Sequence, residues 1–335
     1  MPERSTISQA VQIGVEATPG TAVAATRRLG SIGVEVGAQA DISAQRPNGQ
    51  KYANLQVLGR EWSEASLSGA PAYTELPYLF SSLLSTPTVT PVVGAGNTAT
   101  GAHLWTFDTN SFGADAPKTY TIEQGDASRA HRVTYGLLQA LTMGWSRNEV
   151  SLDGTMLSRR LEDGITMTPG GAMLPQVPVR PSELSVYLDS TSGDLGTTKL
   201  TRAISGEWAV GSRFTPVWVV DAALPSFAAH VESEPEASFT LMQQADAQGM
   251  ANLVAMRGGT TRFARLEAVG PIIAGTGDTA VRHRMTLDMA GQVSDVSPFS
   301  DEDGVYAVEW TFGAVHDPTW TRAMRVQVTT TTAAL

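Results

Sequence analysis

A mainly β fold, built from many short antiparallel strands, is what this sequence predicts, and three observations predict it. First, runs rich in β-branched and aromatic residues recur along the chain, such as Thr119-Tyr-Thr-Ile-Glu123 and Phe214 to Val220. Second, Gly, Pro, Asn and Asp punctuate these runs, as where Glu149-Val-Ser-Leu-Asp-Gly154 alternates and stops on a turn pair. Third, only two stretches carry a helical period. The class expected is two packed sheets or a barrel flanked by a short helix.

In chain order, residues 12–26 (QIGVEATPGTAVAAT) are mostly small and lack both periods, so they predict an arm without a fold of its own. Pro19-Gly20 can turn it sharply. Leu29 to Val36 alternates loosely. Leu76, Leu79, Phe80, Leu83 and Leu84 recur at helical spacing after Thr74, a candidate N-cap, with Pro77 where an early turn tolerates it. Thr86 to Lys118 is rich in Thr, Pro, Gly, Ala and Asn and reads as a long loop or hairpin. Further strands are expected in Arg132 to Trp145, Ser185 to Asp189, Ala203 to Val210, Arg262 to Val269, Arg282 to Met289, Val305 to Phe312 and Met324 to Thr330. A second helix is expected at Ala245 to Met256, ended by Gly258-Gly259.

The length of 335 residues suggests roughly two domains. Met167 to Pro181 holds four prolines and supplies a boundary. The division is then 1–28 as an N-terminal arm, 29–175 as a first β domain with loop 86–118, and 176–335 as a second. The halves look alike. Ala65-Ser66-Leu67 and Ala237-Ser238-Phe239 each precede a helix. His131-Arg-Val-Thr134 and His283-Arg-Met-Thr286 each follow an aromatic strand. A tandem duplication is the expectation.

Composition narrows function. No apolar run approaches the roughly 18–20 residues of a membrane helix, and Met-Pro-Glu-Arg-Ser-Thr gives no sign of an export signal. There is no cysteine, hence no disulfide and no thiolate chemistry. Net charge is −10, the first 182 residues giving 13 − 15 = −2 and the rest 10 − 18 = −8. A chain that grips nucleic acid carries a basic excess; this one does not. The basic residues are 20 Arg and 3 Lys, a bias that suits interfaces or follows from codon usage.

Catalytic signatures are missing. His103, His131, His230, His283 and His316 fall in no triad or metal pattern, and Gly14 to Gly20 lacks the spacing and the lysine of a phosphate loop. Ser300-Asp-Glu-Asp-Gly304 would place Phe299 and Trp310 at calcium-ligand positions, so it reads as an acidic turn. Neither an enzyme nor a cofactor is expected. Glu61, Glu64, Glu232, Glu234 and Glu236 are strand or strand-edge acids whose face the sequence does not fix.

Taken in order, several segments resemble the major tail tube proteins of long-tailed, siphovirus-type bacteriophages: Gln12-Ile-Gly-Val-Glu16 with Thr18 to Ala24, Gly69 to Leu79, Thr119 to Asp126, Asp303 to Tyr306, and Trp310 to Asp317 with Trp320. The resemblance implies a structural virion protein whose strands join those of its neighbours into a barrel, in rings stacked as a conduit for genome ejection. It implies as partners the chain itself, the tape-measure, tail terminator and distal tail proteins, and phage DNA passing without sequence-specific binding. It places the mature protein in the virion and its synthesis in the bacterial cytoplasm. Two tube folds per chain would make a ring of three with pseudo-sixfold symmetry; one fold would make a hexamer. Gln12, Gly14, Glu16, Pro19 and Gly20 are then candidate contacts between subunits or rings. The competing expectations are a tail-associated carbohydrate-binding or hydrolytic β-protein, or another tail or head component.

Overall fold

The computed structural model describes residues 9–126 and 128–335. Residues 1–8 of the expected arm lie outside that range. The first half runs β1 (Ala10–Val15), β2 (Arg27–Leu29), β3 (Ile32–Gln45), β4 (Leu55–Gly69), α1 (Leu76–Leu83), β5 (Thr88–Val93), β6 (Ala99–Asp108), β7 (Tyr120–Gly125), β8 (Ala130–Ser146), β9 (Val150–Ser158), β10 (Glu162–Ile165) and β11 (Ala172–Met173). The second runs β12 (Leu184–Asp189), β13 (Ala203–Gly211), β14 (Phe214–Val217), β15 (Ala229–Glu232), β16 (Glu236–Gln244), α2 (Ala247–Met250), α3 (Asn252–Gly258), β17 (Arg262–Ala274), β18 (Val281–Val296), β19 (Ser300–Glu302), β20 (Val305–Ala314) and β21 (Met324–Thr330). The mainly β expectation holds.

Eight strands form one antiparallel sheet in the order β3-β4-β9-β8-β13-β16-β20-β18. Strands β8 and β18 are long because each serves two layers. The first part of β8 pairs with β7 and β10, and its second part with β9 and β13. The first part of β18 pairs with β17 and β21, and its last residues with β20. Register shifts at Gln139 and Ser294 let the strands bend between layers.

Between the layers lies one apolar core. It draws Phe80 and Leu138 from the first half and Trp208, Phe239, Leu287 and Trp310 from the second. Two pairings also cross the 175/176 boundary: β8 with β13, and β6 with β21. The proline-rich segment 167–181 is woven into the first half. Val177 accepts from the Tyr73 amide, Pro71 accepts from that of Val179, and β11 pairs with β2.

Helix α1 is buried on every side. Pro77 fits its first turn because that turn needs no amide donor. Thr74 does not cap it; its hydroxyl donates to the Pro175 carbonyl instead. The serines of α1 are satisfied locally, Ser81 donating to Pro77 O at 2.6 Å and Ser82 accepting from the Leu138 amide at 3.0 Å.

Three expectations are narrowed or changed. Of the two readings of 86–118, loop or hairpin, Thr88 to Asp108 take the hairpin as β5–β6, and β6 lies inside a sheet beside β21 of the other half. The second helix is two short ones. Asp246 caps the first by accepting from Gly249 N at 2.8 Å, and a Cβ on Gly249 would lie 2.2 Å from the Gln244 carbonyl oxygen, so this tight turn requires glycine. The third concerns residues 12–26. Strand β1 sits between β2 and β7, so this segment folds within its own chain. Its strand period is only as long as β1, where Val11, Ile13 and Val15 alternate with Gln12 and Gly14.

A candidate functional surface: the acidic face and its two open edges

One face of the eight-stranded sheet packs on the core and the other is open. Cross-strand registers identify the open side row by row. One row runs through all eight strands: Gly33, Ser68, Asp153, Thr142, Ala209, Ser238, Gly313 and Gln292. A neighbouring row holds Glu35, Ser66, Thr155 and Ala140. Another holds Ser151, Gly144, Glu207, Thr240, Thr311 and Asp295. Small side chains dominate because nothing packs here, and alternate residues go to the core.

Seven acids stand on this face: Glu35, Glu64, Asp153, Glu207, Glu236, Asp295 and Glu309. No Arg, Lys or His shares the rows with them. No ion pair neutralises any of the seven among the described residues. Most of the chain's net charge of −10 is therefore gathered on one flat surface. Of the acids whose face the sequence left open, Glu64 and Glu236 belong here. Glu61 instead approaches Arg160 at 3.6 Å, and Glu232 holds Arg213 at 2.8 Å.

At one end the face is capped. The segment after β13 folds back as the β14–β15 hairpin and buries Phe214 and Phe227 against Tyr135, Leu137 and Leu157. Arg213 anchors it. Its guanidinium, 1% exposed, donates to Leu83 O (2.9 Å), Leu84 O (3.2 Å), Asp115 (2.7 Å) and Glu232 (2.8 Å). Burial pushes the Asp115 carboxyl up, against hydrogen bonds from Asn110 and Arg213 that lower it.

The sheet has two open edges. Among the described residues, strand β3 pairs only with β4, and residues 292–296 of β18 pair only with β20. The four-strand ladder Glu35–Ser66–Thr155–Ala140 matches Ala209–Ser238–Gly313–Gln292 strand for strand. Two shallow hollows repeat the match, one lined by Glu35-Val-Gly37 and Glu64-Ala-Ser66, the other by Ala209-Val-Gly211 and Glu236-Ala-Ser238.

The sequence-chosen arm residues lie elsewhere. Gln12 is buried, and its side-chain amide lies against the carbonyls of Ala25 and Thr168, which calls for the nitrogen on that side. A Cβ on Gly14 would sit 2.5 Å from the Ala24 carbonyl oxygen. The Glu16 carboxylate accepts from Gly20 N (2.7 Å), Thr119 Oγ1 (2.8 Å), Thr121 Oγ1 (3.0 Å) and Tyr135 N (2.9 Å). Pro19 and Gly20 form a turn closed by Thr21 N to Thr18 O, Gly20 taking φ +79°. Pro19 is exposed. Gln12, Gly14 and Glu16 thus serve their own chain. The sequence reading missed Glu35, Asp153, Glu207, Asp295 and Glu309. The available signal was the alternation of Gly, Ser, Thr or acid with apolar residues on successive strands.

No group of three or more metal-ligating side chains converges among the described residues, and no helix among them is long and apolar enough to cross a membrane. Neither a protein-family profile nor a curated protein sequence matches the chain.

Proposed function

We propose that this chain is a structural tube subunit, the major tail tube protein of a siphovirus-type phage, in which three copies close a ring and rings stack into a conduit for DNA. The observation that carries this reading is the internal seam β8–β13. There Val210 faces Leu141, Ala209 faces Thr142 and Glu207 faces Gly144. By the matched ladders, β13 corresponds to β3 and β8 to the end of β18. The seam inside the chain is therefore the pattern for a seam between chains, with β3 of one copy laid against 292–296 of the next.

Strand direction agrees. Eight alternating strands leave β3 and β18 antiparallel, so closure preserves the antiparallel order. Head-to-tail contacts with a closing rotation make rings, and a ring abolishes the open edges that otherwise invite aggregation. Three copies at about 4.8 Å per strand give a barrel of about 115 Å backbone circumference before strand tilt widens it. The matched halves support a tandem duplication and hence three chains rather than six. The open face, turned inward, is a wall of small residues and unpaired acids. Such a wall repels a polyanion and offers it no grip.

Electron microscopy of the concentrated protein, reconstructed without imposed symmetry, tests this. Stacked rings of three chains with sixfold-like density are expected. Six equivalent chains per ring would refute the trimer, and a chain that stays monomeric would refute the tube.

A further inference from the structure

The β3–β4 hairpin outruns its sheet. Pairing of β4 with β9 ends at Ser63–Ser158; Trp62 and Arg60 then lie against Trp218 and the Glu61 amide donates to the Pro225 carbonyl, so that, among the described residues, 55–59 pair with β3 alone. About five residues at about 3.4 Å each carry the hairpin about 17 Å past that contact. It is exposed on both faces, with Ile42 60%, Leu58 54% and Tyr52 73% exposed. A two-stranded ribbon of this kind is marginal in water on its own. Between Asp41 and Glu61 it carries Arg46, Lys51 and Arg60 and no acid. Arg60 is held by Asp41 at 2.7 Å, which leaves Arg46 and Lys51 as the charges of the tip.

The opposite end of the sheet has the complementary character. Strands β3 and β20 run the same way, so the hairpin follows the end of β3 while the β19–β20 turn precedes the start of β20. That turn closes on Asp303-Gly304, both at positive φ. Phe299 and Tyr306 stand beside it, 60% and 75% exposed, with ring centroids 6.3 Å apart. Asp301, Glu302 and Asp303 surround them, and no Arg or Lys occurs between Arg284 and Arg322. The nearby Arg202 is engaged with Asp246 at 3.4 Å.

We infer that the hairpin tip of one chain docks on the Phe299–Tyr306 turn of a second copy in the next ring. This contact rests on the tube reading and names its stacking joint. Apolar surface meets apolar surface, and two cations meet three acids. The stoichiometry agrees as well. The hairpin's counterpart in the second half, residues 212–235, is folded back as β14–β15 and projects nothing. The turn's counterpart in the first half, Arg147-Asn148-Glu149, has neither aromatic residues nor net charge. Each chain thus has one plug and one socket, at opposite ends. The stacking role expected of residues 12–26 passes to residues 38–61.

The test uses full-length protein under assembly conditions, with circular dichroism to check that variants fold. Arg46→Glu with Lys51→Glu should lower the fraction sedimenting as tubes about tenfold. Adding Asp301→Lys and Asp303→Lys to the same chain should restore it. The chain has no cysteine, so Lys51→Cys with Asp303→Cys and a short bifunctional thiol reagent should link chains into ladders that neither single variant gives. Normal tube yield from the reversed tip, or double-cysteine tubes that do not cross-link, would overturn this joint and leave the tube reading standing. A chain that never leaves the monomer in any of these conditions would overturn the tube reading and this contact together.

Discussion

Arg213→Ala should be among the most damaging single substitutions in the chain. The side chain is buried and spends its donors on two carbonyls at the end of α1 and on two carboxylates. Truncation strands Asp115, whose side chain is 2% exposed. Breaking a buried pair in this way costs about 3–5 kcal/mol. The Leu83 and Leu84 carbonyls lose their donor at about 1 kcal/mol each, part of which water recovers through the space opened. Glu232 is partly exposed and adds little. A loss of about 3–5 kcal/mol should lower Tm by about 4–7 °C in a chain of 335 residues. The sign with pH follows from Asp115. Its folded-state pKa is already raised by burial, and losing the guanidinium raises it further. A group raised in this way is tolerated when protonated and costs stability as pH rises through its folded pKa. The variant should therefore lose less stability at pH 5 than at pH 8, relative to wild type. Urea and thermal unfolding at both pH values, followed by far-UV circular dichroism, measure this. A loss under about 1 kcal/mol, or one that does not change with pH, would refute the claim that Arg213 holds a buried charge in place.

Other perturbations have defined outcomes. Gly14→Ala puts a methyl group 2.5 Å from the Ala24 carbonyl oxygen and should cost about 1–3 kcal/mol; an unchanged melting curve would mean the segment yields freely. Deleting residues 1–26 removes β1 from between β2 and β7, so the truncated chain should melt earlier or fail to fold, and a soluble product melting like the full chain would contradict that. His283 is pushed down by burial, with the Glu183 charge acting the other way, so the unfolded chain takes the proton first and stability falls as pH drops through the ordinary histidine value of about 6.5. His283→Gln should lose less stability than wild type between pH 7 and pH 5, as denaturant titrations at the two pH values would report; equal losses would exclude His283 as the source. Glu35→Lys with Asp153→Lys and Glu207→Lys should leave folding intact but give salt-sensitive retention of duplex DNA in a gel-shift assay, and retention by the wild-type protein would defeat the repulsive-wall account.

The strand-rich class and the α1 stripe were legible because each depends on local period. Leu76, Leu79, Phe80 and Leu83 read as one helix and are one. Residues 12–26 misled because β1 is short, its Val11-Gln-Ile-Gly-Val15 alternation is cut by a window that starts at Gln12, and residues 16–26 belong to no strand and are held by hydrogen bonds the sequence does not display. The 86–118 stretch was read as a loop or hairpin, and what stayed hidden was its partner: β6 is paired by β21, more than 200 positions away, and long-range pairing leaves no local trace. The acidic face was half visible. Glu64 and Glu236 could be noticed beside their Ala-Ser neighbours, but placing Asp153 and Glu309 beside them required the registers of β9 and β20.

The β8–β13 pairing also bears on how assembly would begin. If three chains close a ring as proposed, three of its six seams would be made when each polypeptide folds, at an effective concentration set by the chain and not by the solution. Only three encounters would remain, and dilution would act on those alone. Joining the two halves in one chain would then shift half of the entropy of association from the ring to the folding of its parts.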